Sequence, residues 1–310
     1  MSHYTRVDYD IRMTSQLNQW IRLRSEDLTA EIDPLGAQLS ILRDRAGRDL
    51  LWNGDASVWA GRAPILFPIV GALAGGTYRL GAEAYSLPRH GFARGSAFQT
   101  LRVTDTGAAF VLRASEFTRR VYPFEFELEV RFELDAATLM VRSLVRNPGP
   151  VTLPASLGYH PAFRWPLPYG NDRASHFIEF GSDESAAVRR LDAAGLLTAE
   201  QQPTPASGRR LALRDSLFTN DAVIFDGLRS QSLSYGADNG PRLRLSLFDA
   251  PYLGVWTKPG ANFICIEPWH GVADPQGYAG DFRNKPGIFS VGPGAERAID
   301  MSVSLMPETD

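Results

Sequence analysis

The sequence predicts an all-β protein, built as a sandwich or barrel of antiparallel strands. Apolar and polar residues alternate along much of the chain, turn residues recur at short intervals, and long amphipathic helical patterns are scarce. A chain with many short strands and almost no helix buries its apolar faces by packing sheets together. With 310 residues, of which 44% are hydrophobic, it can enclose a large core.

Strand patterns begin after Trp20, and residues 1–19 are predicted to form a loosely structured lead-in. A Pro34–Gly36 turn joins the second and third strands, and Gly81 marks the turn of a later hairpin. The predicted strand segments are Ile21–Arg24, Leu28–Ile32, Gln38–Leu42, the hairpin Tyr78–Leu87, Ala109–Ser115, Glu125–Glu133, Thr138–Asn147, Arg242–Phe248 and Ala298–Leu305.

Three other segments complete the prediction of organisation. Asp183–Leu197 has the best helical pattern in the chain, and Pro166–Gly170 and Gln201–Arg210 are predicted to be exposed loops. Neither loop separates two cores, because strand patterns continue on both sides. Residues 20–310 are therefore predicted to form a single domain.

Composition excludes several classes of function. A formal net charge of -3 without a basic block argues against nucleic acid or anionic lipid as a partner. The single cysteine, Cys265, cannot form an intrachain disulfide or a cysteine-based zinc or iron–sulfur site. Lys258 and Lys285 are the only lysines, which makes a Schiff-base mechanism less favoured.

The remaining sequence signals predict a soluble, cytoplasmic protein that needs no cofactor. The first thirty residues carry charges throughout and lack the apolar stretch of a signal peptide. The most apolar run, Ala63–Ala74, is broken by prolines and is too short to span a membrane. The glycine-rich segment Gly71–Gly76 precedes a strand, whereas a dinucleotide fingerprint precedes a helix.

Two histidines lie in sequence contexts that are unusual for generic strand or helix. His90 precedes Gly91, which lets the backbone turn and present the imidazole. Pro161 favours an extended backbone at His160, which we expect at a strand end. Histidine is a natural general acid or base near neutral pH. The alternative for both is a structural histidine whose ring bonds to the backbone.

Glu267 ends an apolar strand and is followed by Pro268 and Trp269. A glutamate in such surroundings is rarely buried unless it is paired or functional. Burial would raise its pKa toward that of a useful general base. The alternative is a strand-end salt bridge to one of the many arginines.

Four further residues are candidates for binding rather than for chemistry. Arg62 precedes an apolar strand, and Asp221 precedes another. Trp256 and Trp269 could stack on the C–H face of a sugar, although core packing is the more common role of tryptophan. His90, His160 and Glu267 could bind a metal as two imidazoles and a carboxylate, but their spacing does not require it, and no metal is predicted.

The sequence resembles the aldose 1-epimerase (galactose mutarotase-like) family, and within it the LacX-like branch. The resemblance rests on five segments in consistent order between Trp20 and Leu305: Arg62–Gly71, His90–Arg94, Gly158–Phe163, Asp221–Phe225 and Ile266–Trp269. It implies a large antiparallel β-sandwich that binds a sugar on a concave sheet face. The implied activity is the interconversion of the α and β anomers of an aldose, without cofactor, by a monomer or homodimer.

The resemblance also implies a role for each motif residue. Glu267 would be the catalytic base and His160 the catalytic acid, so that Glu267 sets the acidic limb of the pH profile and His160 the basic limb. His90 and Arg62 would hold the sugar and its ring oxygen, and Asp221 would bind hydroxyl groups. Tyr159 before His160 departs from galactose mutarotases, and so does the short segment around Glu267.

Three alternatives stay open at this point. The first is a sugar-binding or sugar-sensing protein without catalysis on the same fold. The second is a mutarotase for hexose 6-phosphates, which would need an arginine cluster drawn from Arg62, Arg89, Arg94 and Arg164. The third, and least favoured, is a metal-dependent isomerase.

Overall fold

Antiparallel strands dominate the regular secondary structure of the protein, a computed structural model that describes residues 19–308. Apart from Gln19, the predicted lead-in lies outside the described residues. The strands are β1 (Ile21–Arg24), β2 (Leu28–Asp33), β3 (Gln38–Asp44), β4 (Ile65–Leu66), β5 (Thr77–Leu80), β6 (Glu83–Ser86), β7 (Gln99–Val103), β8 (Gly107–Arg113), β9 (Glu127–Asp135), β10 (Thr138–Arg146), β11 (Leu153–Ala155), β12 (Leu157–Tyr159), β13 (Ala162–Arg164), β14 (Phe177–Phe180), β15 (Arg210–Ala212), β16 (Val223–Phe225), β17 (Ser232–Gly236), β18 (Arg242–Ser246), β19 (Tyr252–Trp256), β20 (Phe263–His270), β21 (Phe289–Val291) and β22 (Glu296–Met306).

Helical structure is limited to short segments within the described residues. The α-helix α1 spans Glu116–Val121. The 3-10 helices are Ala74–Gly76, Ala93–Gly95, Arg173–Ser175, Asp215–Phe218 and Phe282–Asn284. The all-β prediction is therefore confirmed. None of these helices is long and apolar enough to cross a membrane, as judged over residues 19–308.

Two large antiparallel sheets organise the fold. The larger has the strand order β15-β14-β17-β18-β22-β10-β9-β8-β7, and the smaller has the order β16-β19-β20-β12-β4 with β13 also paired to β20. Strands β1 to β3 form a separate sheet, and β5-β6 and β11-β21 form two-stranded ribbons. Every pairing between these strands is antiparallel.

The main core joins side chains from the two large sheets. It includes Val130 of β9 and Val141 of β10 from the larger sheet, and Val255 of β19 from the smaller one. Strand β20 contributes Ile264 and Ile266 to this core. Because successive side chains of a strand point to opposite faces, the odd-numbered residues of β20 face the other side of the smaller sheet.

The predicted helix at Asp183–Leu197 is wrong. This segment is irregular, and its backbone groups bond to other parts of the chain, for example Val188 N–H to Gln202 at 2.8 Å and Arg189 N–H to Ile224 at 2.8 Å. These non-local bonds satisfy the backbone groups that a helix would otherwise pair within itself.

The α-helix within residues 19–308, α1, was not predicted. Ser115 Oγ accepts a hydrogen bond from Thr118 N–H at 3.2 Å, and Thr118 Oγ1 accepts one from Ser115 N–H at 2.8 Å. These reciprocal bonds form a capping box, which stabilises the first turn of so short a helix.

The two loop predictions differ in outcome. Gln201–Arg210 is largely exposed, as predicted, although its last residue, Arg210, already belongs to β15. Pro166–Gly170 is a loop, but only Gly170 is exposed, because Leu167 packs into the main core and Tyr169 packs against it. The prediction of an exposed loop is wrong there, since leucine and tyrosine supply apolar surface that the core takes up.

Candidate active site

Strand β20 places Glu267 and Trp269 on the side of the smaller sheet that faces away from the main core. The alternation that sends Ile264 and Ile266 into that core turns Glu267 and Trp269 toward a cavity. His160 lies between β12 and β13, beside β20. Its predicted position at a strand end is therefore confirmed.

His90 reaches the same cavity from a tight turn. His90 has φ 67° and Gly91 has φ 72°, and a β-carbon on Gly91 would lie 2.2 Å from the Phe67 carbonyl oxygen, so only glycine fits. Gly71 N–H donates to His90 Nδ1 at 3.1 Å, and His90 N–H donates to the Gly71 carbonyl at 2.9 Å. Because Nδ1 accepts, the proton of the neutral ring is on Nε2, which is left free to donate to a ligand.

The cavity has a volume of about 230 Å³ and is graded in polarity from mouth to floor. Arg89 and Asp221 stand at the mouth, with side chains 45% and 38% exposed and charged atoms 3.8 Å apart. Glu267 and His160 lie at the floor, where Glu267 is 1% exposed. The remaining lining residues are Trp59, Gly71, His90, Arg94, Leu191, Ala222, Ile224, Trp256, Trp269 and Ala273.

Three buried polar atoms at the floor have no hydrogen-bond partner among the described residues: Glu267 Oε2, His160 Nδ1 and Trp269 Nε1. His160 Nε2 lies 3.1 Å from Glu267 Oε2, but the two groups are not aligned as a hydrogen bond. Buried polar atoms are normally paired, and an exception calls for an explanation. A polar ligand that enters the cavity would supply the missing partners.

Burial shifts the pKa values of the floor residues in opposite directions. It raises the pKa of Glu267 well above the usual value; Asp221 adds to this, while Trp269 and Arg89 act against it. Burial lowers the pKa of His160 to about 3, with Arg94 and Arg89 acting in the same direction. The shifts therefore favour the neutral form of each residue, a protonated carboxyl group on Glu267 and an uncharged imidazole on His160.

Burial also keeps His90 neutral. It lowers the pKa of His90 well below the usual value, and His160, Arg94 and Arg89 lower it further. A neutral His90 with its proton on Nε2 can donate a hydrogen bond without bringing a charge into the cavity. The residue is therefore suited to holding a ligand oxygen.

Aromatic rings form one wall of the cavity. Trp59 stacks on His160 with ring centroids 5.1 Å apart and planes at 27°, and Trp256 meets the same imidazole edge-on at 6.1 Å. Trp59 was not among the residues predicted from the sequence. It lies outside the five recognised segments, so no local motif marked it.

Trp269 is held between two glycines of neighbouring strands. A β-carbon on Gly254 of β19 would lie 2.4 Å from the Trp269 ring, and one on Gly158 of β12 would lie 2.7 Å from it. A side chain at either position would therefore force the indole to move. The two glycines thus create the space that the indole occupies.

Six of the seven residues predicted from the sequence line the cavity, and Arg62 does not. The Arg62 guanidinium stacks on the Trp20 ring at 4.9 Å and donates to the Ser40 carbonyl at 2.8 Å. The cavity as the structure has it therefore gives no support to the predicted role of Arg62 in holding the sugar. Arg89 and Arg94 are the arginines that reach the cavity instead.

Three side chains could hold a metal ion. His160, Cys265 and Glu267 offer ligand atoms within 4.8 Å of one another, which is the one such cluster found in residues 19–308. A metal-bound cysteine is a thiolate. Burial, together with Glu267, raises the pKa of the Cys265 thiol well above the usual value, which disfavours that form. The cluster therefore fits a metal ion poorly.

An antiparallel sandwich with a buried carboxylate–imidazole pair in a small cavity is the arrangement expected of an acid/base enzyme that acts on a small polar molecule. The sequence model of the aldose 1-epimerase family matches residues 19–280. The chain belongs to this family, and its relatives place it in the LacX-like branch.

Related sequences and related structures align with nearly the whole chain. The chromosomal and plasmid LacX proteins of Lactococcus lactis subsp. lactis are 32% and 31% identical over 283 residues, which cover 88% of this chain and 95% of theirs. A galactose mutarotase related enzyme from Lactobacillus acidophilus superposes with a TM-score of 0.87 at 29% identity, over 94% of this chain and 99% of its own. A galactose mutarotase-like protein from Lactobacillus casei gives 0.86 at 28% identity, over 93% and 100%.

Proposed function

We propose that the protein is a cofactor-independent aldose 1-epimerase, or mutarotase, that interconverts the anomers of an aldose. The observation that carries this proposal is the buried Glu267–His160 pair at the floor of the cavity. His160 Nε2 lies 3.1 Å from Glu267 Oε2, and Glu267 Oε2 and His160 Nδ1 have no hydrogen-bond partner among the described residues. An anomer exchange needs a base and an acid that act on neighbouring oxygens of one sugar.

The reaction consists of two proton transfers and one bond rotation. Glu267 takes the proton of the C1 hydroxyl while His160 gives a proton to the ring oxygen, so that the C1–O5 bond breaks and an aldehyde forms. The C1–C2 bond rotates, and O5 then attacks the opposite face of the aldehyde. The proton on O5 returns to His160, and Glu267 returns its proton to O1.

The other lining residues would bind and orient the sugar. His90 Nε2–H would donate to a sugar oxygen, and Asp221 at the mouth would accept from hydroxyl groups. Trp256 and Trp269 would contact C–H faces of the ring. These contacts would hold the C1 hydroxyl and the ring oxygen near the Glu267–His160 pair.

Polarimetry tests the proposal directly. Freshly dissolved α-glucose, α-galactose and related aldoses are followed to equilibrium with and without the protein. We expect the protein to speed the approach to equilibrium for at least one sugar without changing the end point. Binding of a sugar without any acceleration would favour the sugar-binding protein that lacks catalysis.

The pKa shifts predict the pH profile, and they reverse the order of limbs assigned from the sequence. The active pair carries one proton, as a Glu267 carboxylate beside a His160 imidazolium. Because the His160 pKa is lowered to about 3 and that of Glu267 is raised, His160 governs the acidic limb and Glu267 the basic limb.

Infrared difference spectra against Glu267→Gln should show a protonated carboxyl above pH 4.5. A carboxylate band already present at pH 5 would contradict this order.

Activity should survive removal of metal ions. Proton transfer and rotation need only a carboxylate, an imidazole and hydrogen-bond donors, and the nearby thiol of Cys265 is a poor ligand because burial raises its pKa. The test is polarimetry after dialysis against a strong chelator. Loss of activity that a divalent ion restores would favour the metal-dependent isomerase instead.

A second candidate function is favoured by Arg89 and Arg94, which both line the cavity. Burial lowers the pKa of Arg94, and the neighbouring charge of Arg89 lowers it further, so an anion between them would relieve their repulsion. A mutarotase for hexose 6-phosphates would use these two residues. Arg164, which was considered for the same role, does not line the cavity.

Arg94→Gln separates the two candidates. If the substrate is phosphorylated, we expect KM for glucose 6-phosphate to rise about tenfold or more, since a charge-assisted contact of about 1.5–3 kcal/mol is lost. KM for free glucose should change little in the same variant. Arg102→Gln, at an exposed position on β7, is the control. Equal behaviour of the two sugars would exclude an anionic substrate.

A further inference from the structure

Three loops that line the cavity meet at one buried residue, Asp274, which does not line the cavity itself. The loops are Gly71–Ala74, Leu191–Leu197 and Val272–Asp274, and they contribute Gly71, Leu191 and Ala273 to the lining. We call them the three wall loops.

Asp274 bonds to each of the other two wall loops. Its N–H donates to the Ala72 carbonyl at 2.9 Å, and its own carbonyl accepts from Leu197 N–H at 2.8 Å. Its side-chain Oδ2 accepts from Ala74 N–H at 2.8 Å. This one residue therefore links the three wall loops by hydrogen bonds.

Lys285 neutralises the buried carboxylate. Both residues are 3% exposed, and Lys285 Nζ lies 3.5 Å from Asp274 Oδ1. The same ammonium group donates to the Val272 carbonyl. Removing one partner of a buried ion pair leaves an uncompensated charge, which is strongly unfavourable, whereas replacing both by uncharged groups is often tolerated.

The wall loops also hold His90. Gly71 exchanges two hydrogen bonds with His90, one of them to the ring nitrogen Nδ1. A β-carbon on Gly71 would lie 2.6 Å from Ala273 Cα, so the loops touch closely at this point. A shift of the Asp274 loop would reach Gly71, and through Gly71 the His90 imidazole.

We propose that Lys285 and Asp274 form a positioning pair that fixes the three wall loops, and with them the orientation of the His90 ring and the width of the cavity. The pair touches no substrate and carries out no proton transfer. Its effect on turnover rests on the function proposed above, whereas its effect on His90 does not.

Four variants test the pair. Lys285→Met removes the ammonium and keeps the side-chain length, and Asp274→Asn keeps an oxygen acceptor for Ala74 N–H. The double variant removes both charges. Glu184→Gln is the matched control, because Glu184 is 1% exposed, bonds to the backbone N–H groups of Arg229 and Ser230, and does not line the cavity.

The first readout is the ¹⁵N spectrum of the histidine rings, which is simple because the chain has five histidines. The wild type should show His90 as a neutral ring with the proton on Nε2. We expect each single charge variant to shift or broaden the His90 Nδ1 signal, and the double variant to restore much of it. Glu184→Gln should leave the signal in place even if it lowers Tm.

The second readout is polarimetry on the aldose that the wild type converts fastest. A misplaced His90 should raise KM about tenfold in Lys285→Met, the scale of one lost hydrogen bond to the sugar, with a smaller change in the double variant. If Lys285→Met does not yield folded protein, Asp274→Asn and the double variant give the same comparison.

The two ways to fail are distinguishable. If the protein converts no aldose, the proposed function fails, and the His90 spectra still test the pair. If the His90 signal and KM stay at wild-type values in the single variants while Tm falls as in Glu184→Gln, the pair only stabilises the fold and the inference is overturned. Equal shifts in the single and double variants would overturn it as well.

Discussion

Glu267→Gln should abolish most turnover and leave sugar binding nearly unchanged. The amide keeps the shape of the carboxyl group and cannot take the C1 hydroxyl proton, and a positioned general base contributes about a hundred- to ten-thousand-fold. Polarimetry gives the rate, and titration calorimetry with the same sugar gives the affinity. A variant that exchanges anomers at the wild-type rate would show that another residue is the base.

The same substitution should raise Tm at neutral pH. The folded-state pKa of Glu267 is raised above the unfolded value by burial, so this group contributes stability that is present at low pH and is lost as pH rises through the folded-state pKa. Glutamine does not ionise and avoids that loss. The gain in Tm should disappear below about pH 4.5, where the carboxyl is protonated in both states. A Tm below that of the wild type at pH 7 would contradict the shift.

His160→Asn should lower turnover by a similar order, about a hundred- to ten-thousand-fold, because the ring oxygen loses its proton donor. The residual rate should depend on Glu267 alone and rise with pH through the raised pKa of that carboxyl, without a basic limb. The measurement is the rate from polarimetry across the pH range. A bell-shaped profile that survives in this variant would mean that His160 is not the acid.

His90→Asn is the comparison for His160→Asn. Because His90 is assigned to holding the sugar, its loss should weaken binding and lower turnover less sharply. Equal losses at both histidines, confined to KM, would remove the distinction between the acid and the positioning residue. The two imidazoles also differ in their hydrogen bonds. His90 Nδ1 accepts from Gly71 N–H, which fixes that ring, whereas His160 Nδ1 has no partner among residues 19–308.

The sequence predicted best those parts of the site whose backbone conformation depends on neighbouring residues. His160 was placed by the extended conformation that Pro161 favours before it. Glu267 was expected at the end of an apolar strand, but β20 continues to His270, and it is the alternation within this strand that turns Glu267 to the cavity. For Arg62, which lies in a bend before β4, the sequence did not show which way the long side chain points. Its direction is decided by Trp20 and Ser40, which are distant in sequence.

The parts that the sequence did not predict depend on contacts between distant segments. Trp59 enters the site because its loop folds over His160, and no period or motif encodes that contact. The segment Asp183–Leu197 has a helical pattern, yet its backbone groups bond across the chain to Gln202 and Ile224. Tertiary contacts of this kind override local propensity, and a single sequence does not display them.

The confinement of Trp269 between Gly158 and Gly254 has a consequence for how this cavity could change over evolutionary time. The volume available to a ligand next to the indole is set by two strand positions that do not line the cavity. One added methyl group at Gly254 would force the ring to move, because the new carbon would lie 2.4 Å from it. Selectivity among sugars of different bulk could therefore drift by single-codon steps that spare the Glu267–His160 pair, and a mutant library aimed at new substrates would begin at these two glycines.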